Sequence, residues 1–259
     1  MIDGVALAAF ADVLSETKTW FLVAVVLVAG IVRGFSGFGG ALVFIPLASA
    51  ILGPRLAVPI FYLVDLVTAT PYGIKMIKKA SMRQITPMLI GSWLAAPAGA
   101  WILANLDPTL LRWVTGVTVL VMVAILATGW RYSGEPRPPV SFGVGAAGGV
   151  LASATGASGP LIIAYWLGSR ADAALIRANI MAFYALAALG TDLVYLVNGL
   201  FTLQAVFYAA LAAPLYAAGL WLGSRVFKGS SETGYRRAAF ALIILTSIVS
   251  LPPVTALFR

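Results

Sequence analysis

Six stretches of this chain are each long and apolar enough to cross a lipid bilayer, and this feature constrains the fold most strongly. A spanning helix needs about 20 mostly apolar residues. The composition agrees, because 61% of the residues are hydrophobic and 10% are charged, whereas a soluble protein has about 25% charged residues. The sequence therefore predicts an all-α polytopic membrane protein. Its predicted spans are Leu56–Ile77, Ile85–Leu106, Leu110–Trp130, Leu175–Val197, Leu203–Val226 and Ala238–Leu257.

Two further apolar regions are interrupted by segments of small residues. Trp20–Val32 and Ala41–Leu52 flank the sequence GFSGFGG, and Val140–Ala154 and Leu161–Leu167 flank TGASGP. The first piece has 13 residues, which rise only about 20 Å as a helix, less than the roughly 30 Å hydrocarbon core of a bilayer. The pattern predicts two broken or re-entrant helical hairpins with glycine-rich tips.

Short sequence matches recur in the same order along the two halves of the chain. Gly37–Leu42 matches Gly156–Leu161 at an offset of 119, and Leu94–Pro97 recurs as Leu211–Pro214 at an offset of 117. We therefore predict two repeats, each a broken hairpin followed by three transmembrane helices. The predicted parts are an N-terminal extracytoplasmic segment at 1–19, either interfacial or disordered, repeat 1 at 20–130, a linker at 131–139 and repeat 2 at 140–259.

Equivalent loops of the two repeats carry opposite charge. The connection 75–83 has four basic residues, whereas its counterpart Asn198–Thr202 has no charge. The next connection reverses this, because Asp107–Thr109 is acidic and 228–237 is basic. Cytoplasmic loops are enriched in Lys and Arg, so the repeats are predicted to be inverted relative to each other.

This orientation places 12 of the 17 basic residues in cytoplasmic loops and both termini outside the cytoplasm. We expect a multi-pass protein of the bacterial inner membrane. The loops assigned to the cytoplasmic side are 75–83, 131–137, 170–177 and 225–237.

The two interrupted hairpins are the best candidates for a binding site. Non-helical backbone at membrane depth is tolerated only where it is buried in protein or lines a wet cavity, and paired breaks in inverted repeats indicate a transport site. A half-helix that begins at a break directs unpaired N–H groups and a positive dipole end toward that site, which suits an anion. The alternative is that these small residues only permit close helix packing. The candidate residues at the tips are Ser36, Gly37, Gly39, Gly40, Thr155, Gly156, Ser158 and Gly159.

Charged residues inside the predicted apolar regions are costly and usually functional. Arg33 precedes the first tip and is expected to contact an anionic headgroup. The alternatives are an ion pair with Asp65 and a snorkelling contact. Asp65 and Asp192 are candidate proton carriers, because a carboxylate in apolar surroundings can hold a proton near neutral pH. Asp192 is nearer a span end, where simple solvation is the alternative. Asn179 is a further candidate for lining the cavity, or else a packing residue.

The block Gly34–Pro46, of sequence GFSGFGGALVFIP, resembles the first-repeat signature of the TauE/SafE family, and Ala154–Leu161 resembles the weaker second copy. The resemblance covers nearly the whole chain. It departs from the family where a fuller glycine run is common, since Ala41 follows Gly40 here. Members are described as sulfite and organosulfonate exporters, and some as uptake carriers. The resemblance therefore implies a sulfur-containing anion as the substrate. Export is the favoured direction, and uptake is the alternative.

We expect a secondary transporter driven by a proton gradient or the membrane potential, with no cofactor and no metal. The chain has no Cys and no His, which removes thiolate ligands and the commonest general base, so an enzyme is not expected. The net charge of +8 is assigned to cytoplasmic loops rather than to nucleic-acid binding. An anion channel of the same architecture, or a carrier for a non-sulfur anion such as a small carboxylate, satisfies the same features. The expected partners are a small anion and the bilayer, and the oligomeric state is left open.

Overall fold

A computed structural model describes residues 17–36, 39–129, 132, 134, 136–167, 171–226, 241 and 243–256. All the regular elements in these residues are helices. Three predictions concern other residues and lie outside the described part: most of the N-terminal segment, Gly37, and the basic loop 228–237.

The described residues of the first half form six α-helices. They are α1 (Thr17–Ser36), α2 (Gly40–Leu52), α3 (Pro54–Thr68), α4 (Thr70–Met76, extended by a 3-10 turn at Ile77–Lys79), α5 (Met82–Asn105) and α6 (Pro108–Ala127). The second half forms α7 (Pro138–Thr155), α8 (Gly159–Leu167), α9 (Ala173–Val197), α10 (Leu203–Val226), α11 (243–250) and α12 (Pro252–Ala256).

Several of these helices are suited to cross a membrane. By length and composition, α5, α6, α9 and α10 are each candidate spans, and the bent pair of α3 and α4 makes a fifth. Large apolar side chains such as Leu94, Leu196 and Leu203 are exposed on the outside, where a protein in water would carry charge. The prediction of an all-helical, multi-pass membrane protein is confirmed.

Three predicted segments differ from the observed helices. The first hairpin helix, predicted over Trp20–Val32, continues through Arg33 to Ser36. The predicted span Leu56–Ile77 is bent by 53° at the junction of α3 and α4, because Pro71 has no N–H with which to continue the helical hydrogen bonds. The predicted span Ala238–Leu257 ends its helix at position 250, and Pro252 begins a separate turn of helix.

The two halves of the chain interlock through two closely packed helix pairs. Helix α1 packs along α10, and α7 packs along α5. Gly34 of α1 abuts the backbone carbonyl of Leu220, and Gly145 of α7 abuts that of Met88. A Cβ at either glycine would overlap the carbonyl, so the glycines permit the close approach that stabilises helix pairs in membranes.

The helix breaks recur with the spacing seen in the sequence. Helix α1 ends at Ser36 and α7 ends at Thr155, whereas α2 begins at Gly40 and α8 begins at Gly159. Each pair of positions is 119 residues apart, which is the offset of the sequence match at the tips.

Candidate functional site

The two helix breaks meet at one cavity of about 80 Å³ in the interior of the protein. Helices α3 and α9 supply much of the remaining wall, including Tyr62, Asp65 and Tyr184. Segments more than a hundred residues apart in the sequence therefore form a single site. The residues that the breaks contribute to it are Gly39, Ala41, Leu42, Gly156, Ser158 and Gly159.

At the first break, Gly39 allows α2 to begin abruptly at the cavity. Its φ angle is 93°, in the left-handed region that glycine adopts without the steric penalty of a Cβ. The N–H of Val43 donates to the Gly39 carbonyl at 3.2 Å, which starts the helical pattern. The N–H groups of the first turn before Val43 have no carbonyl partner within α2. This turn lies at the cavity, because Ala41 and Leu42 line it.

At the second break, Gly156 ends α7 in the left-handed conformation, with φ of 67°. Its N–H donates to the Ala152 carbonyl at 2.8 Å. The Thr155 hydroxyl donates to the Leu151 carbonyl at 2.8 Å and accepts the Ala157 N–H at 3.3 Å, so Thr155 stabilises the turn. The Tyr184 hydroxyl donates to the Gly159 carbonyl at 2.6 Å and ties the start of α8 to α9.

Arg33 and Asp65 bring opposite charges to the cavity wall. Nη2 of Arg33 lies 3.4 Å from Oδ1 of Asp65, longer than the roughly 2.7–2.9 Å of a charge-assisted hydrogen bond. That carboxylate oxygen is buried and accepts no hydrogen bond from the described residues. The pair is therefore a loose ion pair, in which the guanidinium keeps donors that can bind another oxyanion.

The positive end of two helices adds to the charge of Arg33. Helix α2 has 13 residues and α8 has 9, and both begin at the cavity. Each N-terminus corresponds to roughly half an elementary charge. Arg33 is in the last turn of α1, where the negative end of that dipole stabilises a cation. The site is thus suited to bind a small anion.

The structure places the other predicted residues at different positions. Asn179 is fully buried outside the cavity wall, where its side chain accepts the Ser81 N–H at 2.7 Å and donates to Gln84 at 2.9 Å. Gly40 is buried, and a Cβ there would overlap the Tyr216 hydroxyl. Ser36 ends α1, and the structure describes its backbone alone.

Asp192 is buried next to Thr191, which lines the cavity. Its exposed fraction is 7%, and neither carboxylate oxygen has a hydrogen-bond partner among the described residues. Asp192 is close enough to Asp65 for their charges to interact. The two acids therefore differ, because within the described part of the chain Asp65 has a cation beside it and Asp192 forms no ion pair.

Sequence reasoning missed several residues of the wall. Ala152 lines the cavity and is 119 residues after Arg33, so the repeat offset could have indicated it. Because residue 152 is alanine, the first repeat places a cation at this position and the second repeat does not. Ser92 and Phe183 also line the cavity, and their positions in ordinary apolar spans carry no signal of this.

These observations define a multi-pass helical membrane protein in which two broken helices meet at an interior site that contains an arginine and two helix N-termini. The chain matches the protein-family model described as Sulfite exporter TauE/SafE over residues 22–250, and it therefore belongs to this family of transporters. A search of the curated proteins and a search of the solved structures each found no match.

Proposed function

We propose that the protein is a secondary transporter that exports a small sulfur-containing anion, sulfite or an organosulfonate, across the bacterial inner membrane. The observation that carries the proposal is that both helix breaks and Arg33 line the same cavity. Arg33, Gly39, Gly156, Ser158 and Gly159 are proposed to bind the anionic group. Family membership supports transport of this class of substrate.

The size of the cavity favours an anion of a few heavy atoms. Its volume of about 80 Å³ is well below the roughly 300–1,000 Å³ of pockets for drug-sized ligands. A sulfite ion or a single sulfonate group suits this volume. The tail of an organosulfonate would extend into the adjoining cavity, which shares Arg33, Asp65 and Tyr184 with the first.

We also propose that the two repeats are inverted, with the basic ends of the helices in the cytoplasm. The bond from the Ser81 N–H to Asn179 supports this orientation, since it holds the start of α9 beside the Lys75–Arg83 connection. The reciprocal packing of α1 on α10 and of α7 on α5 supports two related halves. The 75–83 connection and the start of α9 then lie at one end of the molecule.

Asp65 and Asp192 are proposed to couple transport to protons. An anion that binds Arg33 competes with Asp65 for the guanidinium, and a buried carboxylate that loses its cation favours protonation. This coupling moves a proton and an anion in the same direction. An inward proton gradient opposes export of this kind. We therefore propose that export is driven by the membrane potential, which is negative inside, because an anion such as the sulfite dianion that moves with one proton still carries net negative charge outward.

A thermal-shift screen of the purified protein tests the substrate class. Sulfite, sulfate, thiosulfate, taurine and sulfoacetate would be compared with small carboxylates, because a ligand that binds the folded state raises the melting temperature. We expect a sulfur anion to give the largest shift. A shift with carboxylates and none with sulfur anions would contradict the proposal.

Flux measurements in liposomes then distinguish a carrier from a channel. A carrier gives saturable flux of the best anion and exchange of labelled for unlabelled anion. Unitary currents in a planar bilayer would instead show an anion channel and would overturn the proposed carrier mechanism.

A further inference from the structure

A second cavity, of about 300 Å³, adjoins the central site. The two cavities share Arg33, Asp65 and Tyr184. The bend between α3 and α4 forms one wall, through residues 68–70. Arg177 of α9 and Ser224 of α10 lie on the other sides, and both are exposed. This second cavity therefore lies between the central site and the basic end of the molecule.

One face of α9 follows both cavities. Arg177, Met181 and Tyr184 line the second cavity at helical spacing, and Thr191 lines the central one. Residues three and four apart lie on the same face of a helix. The rise from Arg177 to Tyr184 is about 10 Å, so an anion at Arg177 is a short step from Arg33.

The charge of the second cavity is positive. It contains the guanidinium groups of Arg33 and Arg177 and the carboxylate of Asp65, which pairs with Arg33. Within the described part of the chain, Arg177 forms no ion pair. The nearby acid Asp172 caps α9, where its side chain accepts the Ala174 N–H at 3.1 Å. The charge of Arg177 is thus available to a ligand.

We infer that this cavity is a second anion-binding station, at which Arg177 binds a small oxyanion or sulfonate before it passes to Arg33. The inference rests on the proposed function for its role in transport, but anion binding at Arg177 does not depend on export. Apolar walls concentrate the field of a cation in a cleft and raise association rates of charged ligands by about 10–1,000-fold. An anion bound at this station would then pass to the central site from the basic end of the molecule.

Thiol labelling measures the potential in this cavity directly, because the chain has no cysteine. Ser224→Cys would be placed in the full-length protein, and its rates of modification by an anionic, sulfonate-bearing methanethiosulfonate and by a cationic, quaternary-ammonium analogue would be compared. Thr202→Cys, which is exposed in a connection without charge, gives the reference ratio. We expect the ratio of anionic to cationic rates at position 224 to exceed the reference about tenfold.

Substitution of Arg177 tests whether this residue is the source of the positive potential in the cavity. In the Ser224→Cys background, Arg177→Gln should reduce the ratio to near the reference value, and Arg177→Lys should retain most of it. Arg83→Gln removes an exposed charge from the same end of the molecule but not from the cavity wall, and it should change the ratio less than twofold. An unchanged ratio in Arg177→Gln would overturn the inference.

Protection by inorganic sulfate tests binding itself. Sulfate is the probe because it does not consume the reagent, as sulfite would. It should slow anionic labelling of position 224 when Arg177 is present and not in Arg177→Gln. Equal protection in both variants would also overturn the inference. A protein that shows this protection but transports no sulfur anion would refute the proposed function and retain the station.

Discussion

At the residue scale, Arg33 is the fixed cation of the central site, and its ionic partner Asp65 faces both cavities. Their separation of 3.4 Å leaves the pair without a charge-assisted hydrogen bond. Such a pair can open at modest cost when a better acceptor arrives. An anion with several oxygens matches the planar donor fork of arginine better than this single contact does.

Arg33→Ala should weaken anion binding by about 1.5–3 kcal/mol, the contribution of a hydrogen bond to a charged group. Titration calorimetry with the best anion of the screen would measure it on monodisperse protein. The substitution also leaves Asp65 without its cation, so Arg33→Ala combined with Asp65→Asn is the matched control. If the double variant binds like the parent, Arg33 serves to neutralise Asp65 and does not contact the anion.

Asp65→Asn and Asp192→Asn should each abolish accumulation of the anion in response to a pH gradient, because Asn keeps the size of the side chain but carries no exchangeable charge. Flux driven by an imposed potential should persist. Liposomes with a pH gradient at zero potential measure the first property, and a potassium diffusion potential measures the second. A variant that still concentrates the anion from a pH gradient would show that its carboxylate is structural.

At the element scale, the candidate site depends on where two helices end and two others begin. Helices α1 and α7 stop at the cavity, and α2 and α8 restart there after a few residues. The left-handed conformations of Gly39 and Gly156 make these interruptions short. A longer loop at either break would occupy the space into which the N-termini of α2 and α8 point.

Gly159→Val should reduce anion binding at least tenfold while the melting temperature stays near that of the parent. A Cβ at Gly159 would lie 3.8 Å from the Tyr184 hydroxyl, an ordinary contact, so the added methyl groups would mainly fill the cavity. Gly143→Val is the control, since a Cβ there meets nothing within 4 Å. Gly39→Val should bind as poorly but also lose stability, because φ at Gly39 is 93°, in the left-handed region that is costly for a residue with a Cβ.

Calorimetry and thermal unfolding of these three variants would separate a binding defect from a folding defect. If Gly39→Val and Gly159→Val both bind the anion as well as the parent does, the breaks are packing features and the site lies elsewhere.

At the scale of the whole molecule, the basic connection that contains Lys79 and the uncharged connection that contains Thr202 lie at opposite ends. Lys79 lies in the turn before α5, beside the start of α9 that Asn179 holds in place. The 25 residues of α9 rise about 37 Å, so Thr202 lies at the opposite end. A distance of this size matches the thickness of a bilayer.

An impermeant thiol reagent applied to intact cells should therefore label Thr202→Cys and not Lys79→Cys. After the cells are opened, both variants should react, because both positions are exposed. The absence of native cysteine makes the background low. Labelling of Lys79→Cys from outside would reverse the proposed orientation and, with it, the direction in which the second cavity opens.

The sequence alone was sufficient for the features that local chemistry determines. Apolar runs of about 20 residues predict spans, and glycine-rich interruptions predict helix breaks. Among the described residues there are four single-helix candidate spans and one bent pair, and helices end at Ser36 and Thr155. The motif beginning at Gly34 indicated the family, which the match over residues 22–250 confirms. Family membership could be predicted because a short motif can be recognised from its own residues, without knowledge of the tertiary contacts that these residues make.

The tertiary structure decided which of these features come together. Gly39 and Gly159 line one cavity because α1 packs on α10 and α7 packs on α5, and contacts between helices so distant in sequence leave no local pattern. Asn179 has a polar side chain of the kind that lines binding sites, but this side chain forms hydrogen bonds with Ser81 and Gln84. The placement of Arg177 beside the bend at Ala69 likewise depends on how α9 packs against α4. Hydropathy and glycine content describe a helix by itself, whereas a binding site is defined by the faces that different helices turn toward each other.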